Sequence, residues 1–503
     1  MTEFTNLGDL IRRDRDPDKL AIVDLGGGAA REFTYRQLDI LACGVARALL
    51  GRGLQRGDRV AILSANRAEY FAAIFGIMRA GLIAVPVNFK FPRSTIHFIV
   101  KDSAADLVFC DPERRADCPD DVPAISFGEE FETFIDAGPF EAVRPVTREP
   151  AMFLYTSGST GGPKGVVLSH QSHLWVVKAR LTQDISRHRF LVAAPLYHMN
   201  GLAVSYLVCA GHATLILLPQ FAAPAYIDAA ERYRCTWLTA VPPMLAMMLR
   251  ETERLGQADL SAVEFVRMGS APVSESLMAA LKRLLPNAAI TNAYGTTEGG
   301  PVVFGPHPLG LPQPELSVGY PHPEVQTRLI ETPGFSPGNT DEGELEMKSP
   351  AIMNGYHNRP DLPSPITADG FYRTGDVFRR DADGFHFFIG RTDDMFVSGG
   401  ENIYPADVER MLERHPEIAQ AAVVPIDDEI KGQKPAAFVV TKTGAALSEE
   451  AVKQYALKHA PAYQHPRFVW FVERLPLSST NKLDRAALKH EAETRIGTLR
   501  KSF

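Results

Sequence analysis

A segment rich in glycines and hydroxyl groups, Tyr155 to Gly165, is the part of the sequence best suited to bind phosphate. It reads Tyr-Thr-Ser-Gly-Ser-Thr-Gly-Gly-Pro-Lys-Gly and follows an apolar run, Ala151 to Leu154. Glycines let a backbone turn sharply and approach a ligand, and successive backbone N–H groups in such a turn bind anions. Lys164 adds a positive charge, whereas Pro163 before it rules out a Walker A loop. The segment therefore predicts a polyphosphate-binding loop.

Three charged residues further along the chain suit the rest of a nucleotide site. Glu298 ends the segment Tyr-Gly-Thr-Thr-Glu, Asp376 lies in a Thr-Gly-Asp sequence typical of a turn, and Lys482 lies near the C-terminus. A carboxylate that follows a strand can hold Mg²⁺, and a carboxylate can accept hydrogen bonds from both hydroxyls of a ribose. Each of these residues alone would be expected at the surface, so the prediction depends on their combination with the loop.

The elements that must position these groups alternate between strands and helices. Short apolar runs at 60–63 and 84–87 alternate with helical spacing at 38–49 and 71–78, and the same alternation returns from 190 to 300. This pattern predicts an α/β fold of mostly parallel, helix-covered sheets, and the dense Pro and Gly residues at 305–345 predict a β-rich subdomain.

The composition changes after Gly390, where a second domain is expected. A helix is predicted near 407–414, followed by a strand at 421–424 that Pro425 ends and by strands at 438–440 and 468–471. About 110 residues suffice for a small α/β domain. We therefore expect a large N-terminal domain at 1–390 and a small C-terminal domain at 391–503.

Charge and cysteine content narrow the class of protein. The 503 residues carry a net charge of −7, with no basic excess that would favour nucleic acid as a partner. The five cysteines form no CxxC pair, which favours reduced thiols over zinc or disulfides. The start of the chain does not match a signal peptide, and the most apolar stretch, 202–218, is short for a membrane span. We expect a cytoplasmic protein with no integral membrane association.

Seven further segments, in chain order, resemble motifs of the adenylate-forming family that contains acyl-CoA synthetases, adenylation domains and firefly luciferase. They are Pro195 to His198, Tyr294 to Glu298, Gly343 to Leu345, Tyr372 to Asp376, Gly390 to Asp394, Ser398 to Asn402 and Asn481 to Arg485. The resemblance covers essentially the whole chain. It implies a small C-terminal domain that rotates between two half-reactions, with ATP, Mg²⁺ and coenzyme A as cofactors.

The resemblance also assigns roles to residues. The catalytic residues would be Lys482, Glu298, His198, Thr156 and Lys164, the metal would be held by Glu298 and Thr156, and Asp393 would be the hinge. The nucleotide and CoA would be bound by Thr156, Ser157, Gly158, Ser159, Thr160, Gly161, Lys164, Tyr294, Gly295, Thr296, Thr297, Asp376, Arg391, Gly399, Gly400, Glu401 and Lys482. Many members of the family have Gly before the C-terminal lysine, and this chain has Asn481.

The activity implied is that of an acid–CoA ligase. ATP would activate a carboxylic acid as an acyl-adenylate, and CoA would then take the acyl group and release AMP. A stand-alone enzyme that loads a carrier protein is the first alternative, and a nucleotide-binding protein without catalytic activity is the second. A homodimer is compatible with each of these interpretations.

The identity of the acid depends on the residues expected to line its pocket. By resemblance these are His198, Met199, Asn200, Val204, Val241, Gly269, Ser270, Ala271, Ala293, Gly295, Gly300 and Val302. They are mostly small and apolar and include no Arg or Lys, which disfavours an acid with a charged tail. We expect an aromatic or arylpropenoic acid, similar to hydroxycinnamate, or a medium-chain fatty acid.

Overall fold

The computed structural model describes residues 4–158, 162–331, 341–398, 401–428, 430–442, 444–478 and 481–501. The helices are α1 (Tyr35–Gly51), α2 (Ala68–Arg79), α3 (Arg93–Asp102), α4 (Glu129–Phe134), α5 (His170–Arg180), α6 (Met199–Ala210), α7 (Ala223–Arg232), α8 (Pro242–Met248), α9 (Thr252–Gln257), α10 (Glu275–Leu284), α11 (Pro405–Glu413), α12 (Glu449–His459) and α13 (Arg485–Lys501).

The strands, in chain order, are β1 (Leu20–Gly27), β2 (Ala29–Thr34), β3 (Arg59–Leu63), β4 (Ile83–Val87), β5 (Ala105–Cys110), β6 (Ala124–Ser126), β7 (Pro150–Gly158), β8 (Gly162–Ser169), β9 (Arg189–Val192), β10 (Thr214–Leu217), β11 (Trp237–Ala240), β12 (Phe265–Gly269), β13 (Ala289–Ala293), β14 (Phe304–Gly305), β15 (Tyr320–Pro321), β16 (Gln326–Ile330), β17 (Glu342–Lys348), β18 (Gly355–Tyr356), β19 (Tyr372–Arg380), β20 (His386–Arg391), β21 (Phe396–Ser398), β22 (Glu401–Ile403), β23 (Ile418–Asp428), β24 (Gly432–Thr441) and β25 (Phe468–Phe471).

Two seven-stranded sheets form the large N-terminal part. Their strand orders are β13-β12-β11-β9-β10-β1-β2 and β18-β8-β7-β4-β3-β5-β6. Strands β9 to β13 are parallel to their neighbours, whereas β7 and β8 form an antiparallel hairpin. The carboxyl ends of parallel strands therefore gather at one edge of each sheet, where ligand sites of α/β folds are found.

Helices α1, α2 and α6 pack in one apolar core with strands from both sheets. Every residue of α2 is buried, as expected for a helix that is covered on all sides. Helix α1 begins with a capping box, in which Thr34 and Gln37 exchange side-chain and backbone hydrogen bonds. These helices hold the two sheets at a fixed distance, and the mixed α/β architecture confirms the fold class expected from the sequence.

A four-stranded antiparallel sheet, β16-β17-β19-β20, leads to the last part of the chain. It ends at Arg391, and β21 begins the C-terminal sheet at Phe396, so residues 392–395 connect the two. The C-terminal sheet has the order β22-β21-β24-β23, and β25 runs parallel to β24.

Strand β23 differs from the expectation, because Pro425 does not end it. The strand continues to Asp428, and Pro425 lies opposite Pro435 in the ladder with β24. Strand β23 is at the edge of its sheet, where a residue without an N–H is tolerated.

All five cysteines are buried as free thiols. No helix within the described ranges is long and apolar enough to cross a membrane.

Candidate active site

A cleft of about 1510 Å³ lies where the strand ends of the N-terminal part face the C-terminal part. Twenty of the residues predicted for the site line it: Thr156, Lys164, His198, Met199, Asn200, Val204, Val241, Gly269, Ser270, Ala271, Ala293, Tyr294, Gly295, Thr296, Thr297, Glu298, Asp376, Arg391, Asp393 and Lys482. Their convergence brings together residues that are more than 300 positions apart in the chain.

The other predicted residues do not line the cleft or cannot be placed in it. Glu401 is exposed at the start of β22. Val302 packs against Val176 and Ala351, and a Cβ on Gly300 would lie 2.4 Å from the Cβ of Ala351. Ser157 and Gly158 form the end of β7, whereas Ser159, Thr160, Gly161, Gly399 and Gly400 lie outside the described residues.

The β7–β8 hairpin carries the phosphate-binding candidates. Thr156 and Lys164 are directly opposite each other in its ladder. The Nζ atom of Lys164 lies 5.6 Å from the ring centroid of Tyr356, a residue that the sequence did not point to. The hairpin thus presents a hydroxyl and a cation at the mouth of the cleft.

Glu298 is held in a tight turn that follows β13. Thr296 and Gly300 pair with each other across this turn, and the Thr296 hydroxyl accepts a hydrogen bond from the Gly299 N–H at 2.8 Å. The Tyr356 hydroxyl donates to Glu298 Oε1 at 3.2 Å. Burial raises the pKa of Glu298, while that hydrogen bond and the charges of Arg391 and Lys164 act in the opposite direction. A nearby cation would therefore stabilise the ionised form of Glu298.

Asp376 lies within strand β19 and not in a turn as expected. One residue of β17 between Glu344 and Glu346 faces three residues of β19, so residues 374–376 bulge out of the ladder. Gly375 adopts a φ of +71°, which a glycine permits at this bulge. Bulges of this kind re-aim side chains next to functional sites, and here the bulge sends Asp376 into the cleft.

Two donors hold the Asp376 carboxylate. The Tyr294 hydroxyl donates to Oδ2 at 2.5 Å, and Arg391 Nη1 donates to Oδ1 at 2.9 Å. Burial raises the pKa of Asp376 to about 6, although Arg391 and the Tyr294 hydrogen bond oppose the rise. The carboxylate keeps further lone pairs for hydroxyl groups of a ligand.

His198 is a neutral imidazole that faces the cleft. It precedes α6, and among the described residues its buried Nε2 atom has no hydrogen-bond partner. Burial lowers the pKa of His198 to about 3, and Lys482 and Lys90 lower it further by repulsion. A group with this pKa carries no proton to give at neutral pH, so His198 is suited to contact a ligand and not to act as a general acid.

Lys482 projects from a small hairpin of the C-terminal part. Leu477 pairs with Leu483, and the Ser478 N–H donates to the Lys482 carbonyl at 2.7 Å. Asn481 has a φ of +59°, a left-handed conformation that Asn adopts more readily than other residues with a side chain. This explains how Asn replaces the expected Gly before the lysine.

Lys482 is exposed as a residue, but its side chain lies in the cleft and is partly surrounded by protein. This partial burial lowers the pKa of Lys482, and the carboxylates of Asp376 and Glu298 oppose the change. The lysine is therefore close enough to both carboxylates for a favourable electrostatic interaction with each.

Arg485 anchors this hairpin to the C-terminal core. Its Nη1 and Nη2 atoms donate to Glu409 of α11 at 2.6 and 2.9 Å, and Nη1 also donates to the Val423 carbonyl at 2.9 Å. A longer ion pair, at 3.7 Å, joins it to Asp394. The hairpin and the 392–395 connection are thus tied together through a single arginine.

The cleft is also lined by two residues that the sequence did not point to, Arg180 and Arg267. None of the pocket positions named from the sequence is an Arg or a Lys, and these two arginines lie outside that set. The resemblance gives positions in motifs, whereas Arg267 lies within β12 and Arg180 at the end of α5.

Few side chains in the cleft could act as ligands for a metal ion. Within the described ranges no three His, Cys, Asp or Glu side chains cluster to hold a metal. Glu298 and Thr156 offer oxygen ligands in the same cleft. Oxygen donors suit Mg²⁺, which usually takes one or two protein ligands and completes its shell with water and phosphate. The residues present fit such a site.

Comparison with known proteins gives consistent matches along the chain. Residues 12–357 match the family model of the AMP-binding enzyme, and residues 407–482 match that of the AMP-binding enzyme C-terminal domain. The chain is 32% identical to a feruloyl-CoA synthase of Amycolatopsis sp over 497 residues, covering 97% of this chain and 98% of that protein. It is 30% identical to a sulfoacetate–CoA ligase of Cupriavidus necator, covering 97% and 98%.

A solved structure of similar shape is an anthranilate CoA ligase in complex with anthranoyl-AMP. The TM-score is 0.87 at 25% identity, and the match covers 98% of both chains.

Proposed function

The chain belongs to the AMP-binding enzyme family, and from this premise we propose that it is an acid–CoA ligase that works through an acyl-adenylate. One observation carries the proposal: Lys482 of the C-terminal part shares a cleft with Glu298, Asp376 and His198 of the N-terminal part. Cations and carboxylates in one cleft are what a reaction between a carboxylate and a nucleoside triphosphate requires.

In the first half-reaction, a carboxylate oxygen of the acid forms a bond to the α-phosphorus of ATP, and pyrophosphate leaves. Asp376 accepts hydrogen bonds from the ribose hydroxyls, and Tyr294 lies against the base. Lys164 holds the phosphates that leave. Lys482 lies between the acid and the α-phosphate, where its charge stabilises the negative charge of the transition state. His198 contacts the acid through its neutral ring.

Glu298 and Thr156 would hold a magnesium ion on the phosphates of ATP. When bound, the ion neutralises charge on the transferring and leaving phosphates. The raised pKa of Glu298 supports this role, because a buried carboxylate without a full complement of donors favours a bound cation.

In the second half-reaction, the thiolate of CoA attacks the acyl carbon, and AMP leaves with the electrons of the broken bond. We propose that residues 1–390 and 391–503 act as two domains and that rotation about Asp393 exchanges the Lys482 hairpin for the segment that contains Gly399, Gly400 and Glu401. The short connection at 392–395 supports this, since only a few backbone angles must change.

The acid is proposed to be aromatic or arylpropenoic, similar to hydroxycinnamate, with a medium-chain acid as the alternative. Gly269, Ala293 and Gly295 leave room for a ring, and Met199 and Val204 supply apolar contacts. Two of the three similar proteins handle aromatic acids by name, whereas the third handles sulfoacetate. All three are named for CoA chemistry, whereas another relative, 31% identical, is a fatty acid–acyl-carrier-protein ligase of Streptomyces coeruleorubidus; CoA is therefore proposed ahead of a carrier protein.

The proposal is tested by release of AMP and pyrophosphate from ATP and Mg²⁺ with a panel of acids, with and without CoA. We expect AMP release that requires both CoA and one class of acid. Pyrophosphate release that CoA does not accelerate would indicate a carrier protein as acceptor. Absence of release with every acid, despite ATP binding, would contradict the ligase function.

Two lysine variants distinguish a loss of catalysis from a loss of folding. Lys482→Ala should lower adenylate formation by about a hundredfold or more, because the transition state loses its cation. Lys489→Ala, on α13 but outside the cleft, should leave the rate unchanged. Full activity of Lys482→Ala would show that the lysine is assigned wrongly.

We also propose that the enzyme works in the cytoplasm, which the five free thiols support. A homodimer stays a prediction, and sedimentation would test it.

A further inference from the structure

Two arginines that line the cleft have no partner among the residues that the structure describes. Arg180 is the last residue of α5, and Arg267 is the middle residue of β12. Both line the cleft. In the part of the chain that the structure describes, neither guanidinium makes a hydrogen bond or an ion pair. Arginine has five N–H donors, so the two guanidinium groups offer ten donors that no described protein acceptor occupies.

The position of Arg267 along β12 places it deep in the pocket. Arg267, Met268 and Gly269 all line the cleft, whereas Val266 packs in the apolar core and is absent from the lining. Gly269 is level with Ala293, just before Tyr294, and Arg267 is level with Thr291. Two residues of a strand span about 7 Å, so Arg267 lies roughly that far below the strand ends where the nucleotide-binding residues follow.

Gly269 packs closely against the neighbouring strand β13. A Cβ at Gly269 would lie 2.4 Å from the Ala293 carbonyl oxygen, so a side chain there would have to displace the backbone of β13. Position 269 therefore contributes no side chain between Arg267 and the end of β12.

The charges of Arg180 and Arg267 favour binding of an anion between or beside them. Repulsion from Arg267 and burial both lower the pKa of Arg180. Burial lowers the pKa of Arg267 to about 10, which leaves it charged at neutral pH. No carboxylate acts on either group in the described chain. Both arginines are half-buried. Charges partly withdrawn from water are normally paired, and leaving two like charges together without a counter-ion is unfavourable.

The reacting carboxylate of the substrate is not the missing partner. That group must meet the α-phosphate near Lys482, at the strand ends, where cations are already present. Arg267 lies two residues before the end of β12, and Arg180 is close enough to Arg267 to be repelled by it. A guanidinium fork matches the two oxygens of a carboxylate and the oxygens of a sulfonate.

We propose that the acid activated by this enzyme carries a second anionic group, a carboxylate or a sulfonate, at the end opposite the reacting carboxylate, and that Arg180 and Arg267 bind it. This inference rests on the proposed ligase function and narrows its substrate. An arylpropenoic acid with a carboxylate on its ring satisfies both requirements, and so does a medium-chain acid that ends in a second carboxylate.

The test compares acids that match in length and differ only at the far end. The pairs are 4-methylcinnamate with 4-carboxycinnamate, hexanoate with adipate, and butanoate with 3-sulfopropanoate, each assayed for CoA-dependent AMP release. We expect a higher kcat/KM for the anionic member of the pair that fits, by about a hundredfold, mainly through KM. The second and third pairs distinguish carboxylate from sulfonate.

The outcomes separate this inference from the proposed function. Equal or better use of the uncharged members, in an active enzyme, would overturn the anionic subsite and leave the ligase function intact. No AMP release with any acid would overturn the ligase function and this inference with it.

Arginine variants test the residues themselves. Arg267→Met and Arg180→Met should each lower kcat/KM for the anionic acid by about a hundredfold and raise or preserve that for its uncharged match. Arg283→Met, on the exposed face of α10, is the matched control and should change neither.

Thermal unfolding covers the case in which a variant folds poorly. Removing an unpaired buried charge should keep or raise the Tm of the ligand-free enzyme, and the anionic acid should raise the Tm of the wild type only. If both variants lower the Tm and lose both acids by the same factor, the arginines are structural and the inference is wrong.

Discussion

Asp393 holds Arg391 with two hydrogen bonds, from Nε to Oδ1 at 2.7 Å and from Nη2 to Oδ2 at 3.0 Å. The remaining nitrogen of the same guanidinium, Nη1, donates to Asp376. Because the guanidinium is rigid and planar, fixing two of its nitrogens fixes the direction of the third. The first residues of the 392–395 connection therefore set the geometry of the carboxylate proposed to bind ribose.

Asp393→Ala should weaken ATP binding. Arg391 would lose its orientation, and the KM for ATP should rise by about two- to fivefold, the range expected for one partly exposed pair. Arg359 and Asp361 have the same spacing and a similar two-nitrogen contact outside the cleft. Asp361→Ala is therefore the control, and an equal effect of both variants would show that Asp393 has no special role.

Asn481 should tolerate only residues that accept a left-handed backbone. Asn481→Gly should retain adenylation, whereas Asn481→Val should lower it about tenfold, because the strain of roughly 1–2 kcal/mol moves Lys482. Arg148 has the same φ of +59° in a surface position far from the cleft. Arg148→Val should cost stability without slowing pyrophosphate exchange, and unchanged exchange in Asn481→Val would contradict this reasoning.

The affinity for ATP should fall in acid with a midpoint near pH 6. Burial raises the pKa of Asp376 to about 6, so below this pH the carboxyl is protonated and loses acceptor capacity for the ribose. The acid limb should be present in kcat/KM for ATP, which reports the free enzyme.

Asp376→Asn should abolish that limb and lower ATP affinity at pH values above 6, where the wild-type carboxylate is ionised. The raised pKa means that the native state holds this proton more tightly than the unfolded state, so ionisation at higher pH costs the native state stability. The Asn variant should therefore be at least as stable as the wild type at pH 7. A large fall in Tm at pH 7 would contradict the assigned cause of the shift.

Arg485→Met should destabilise the C-terminal part and slow adenylation together. It would leave Glu409 buried without its partner, a loss of about 3–5 kcal/mol for a broken buried pair. The double variant Arg485→Met with Glu409→Met should recover stability but not activity, since the hairpin of Lys482 stays unanchored. Lys453→Met, which breaks an i,i+4 pair with Glu449, is the control, with an expected cost of about 0–1 kcal/mol.

The elements with strong periodicity could be predicted from the sequence. Helices α1 and α2 and strands β3 and β4 lie where the apolar spacing places them. The features that were predicted wrongly depend on residues that are neighbours in space but not in the sequence. Whether Pro425 ends a strand depends on the edge position of β23, and the bulge at Asp376 depends on the register with β17.

The sequence predicted the site residues that belong to recognisable motifs. Motif residues such as Glu298 and Lys482 meet in one cleft, whereas Tyr356, Arg180 and Arg267 belong to none of the quoted motifs. A signal for Arg267 was present: it is the single charged residue in the apolar run Phe265-Val266-Arg267-Met268. Only the pairing of β12 with β11 and β13 shows which face of the sheet that charge occupies.

The burial of all five cysteines protects the acyl-adenylate from reaction with the enzyme's own thiols. An acyl-adenylate reacts with any thiolate within reach, and a buried thiol is out of its reach. None of the five lines the cleft among the residues described there. The enzyme therefore offers its own activated intermediate no internal sulfur, so self-acylation and mixed disulfides with CoA are both disfavoured, and the incoming cofactor is left as the sole sulfur nucleophile.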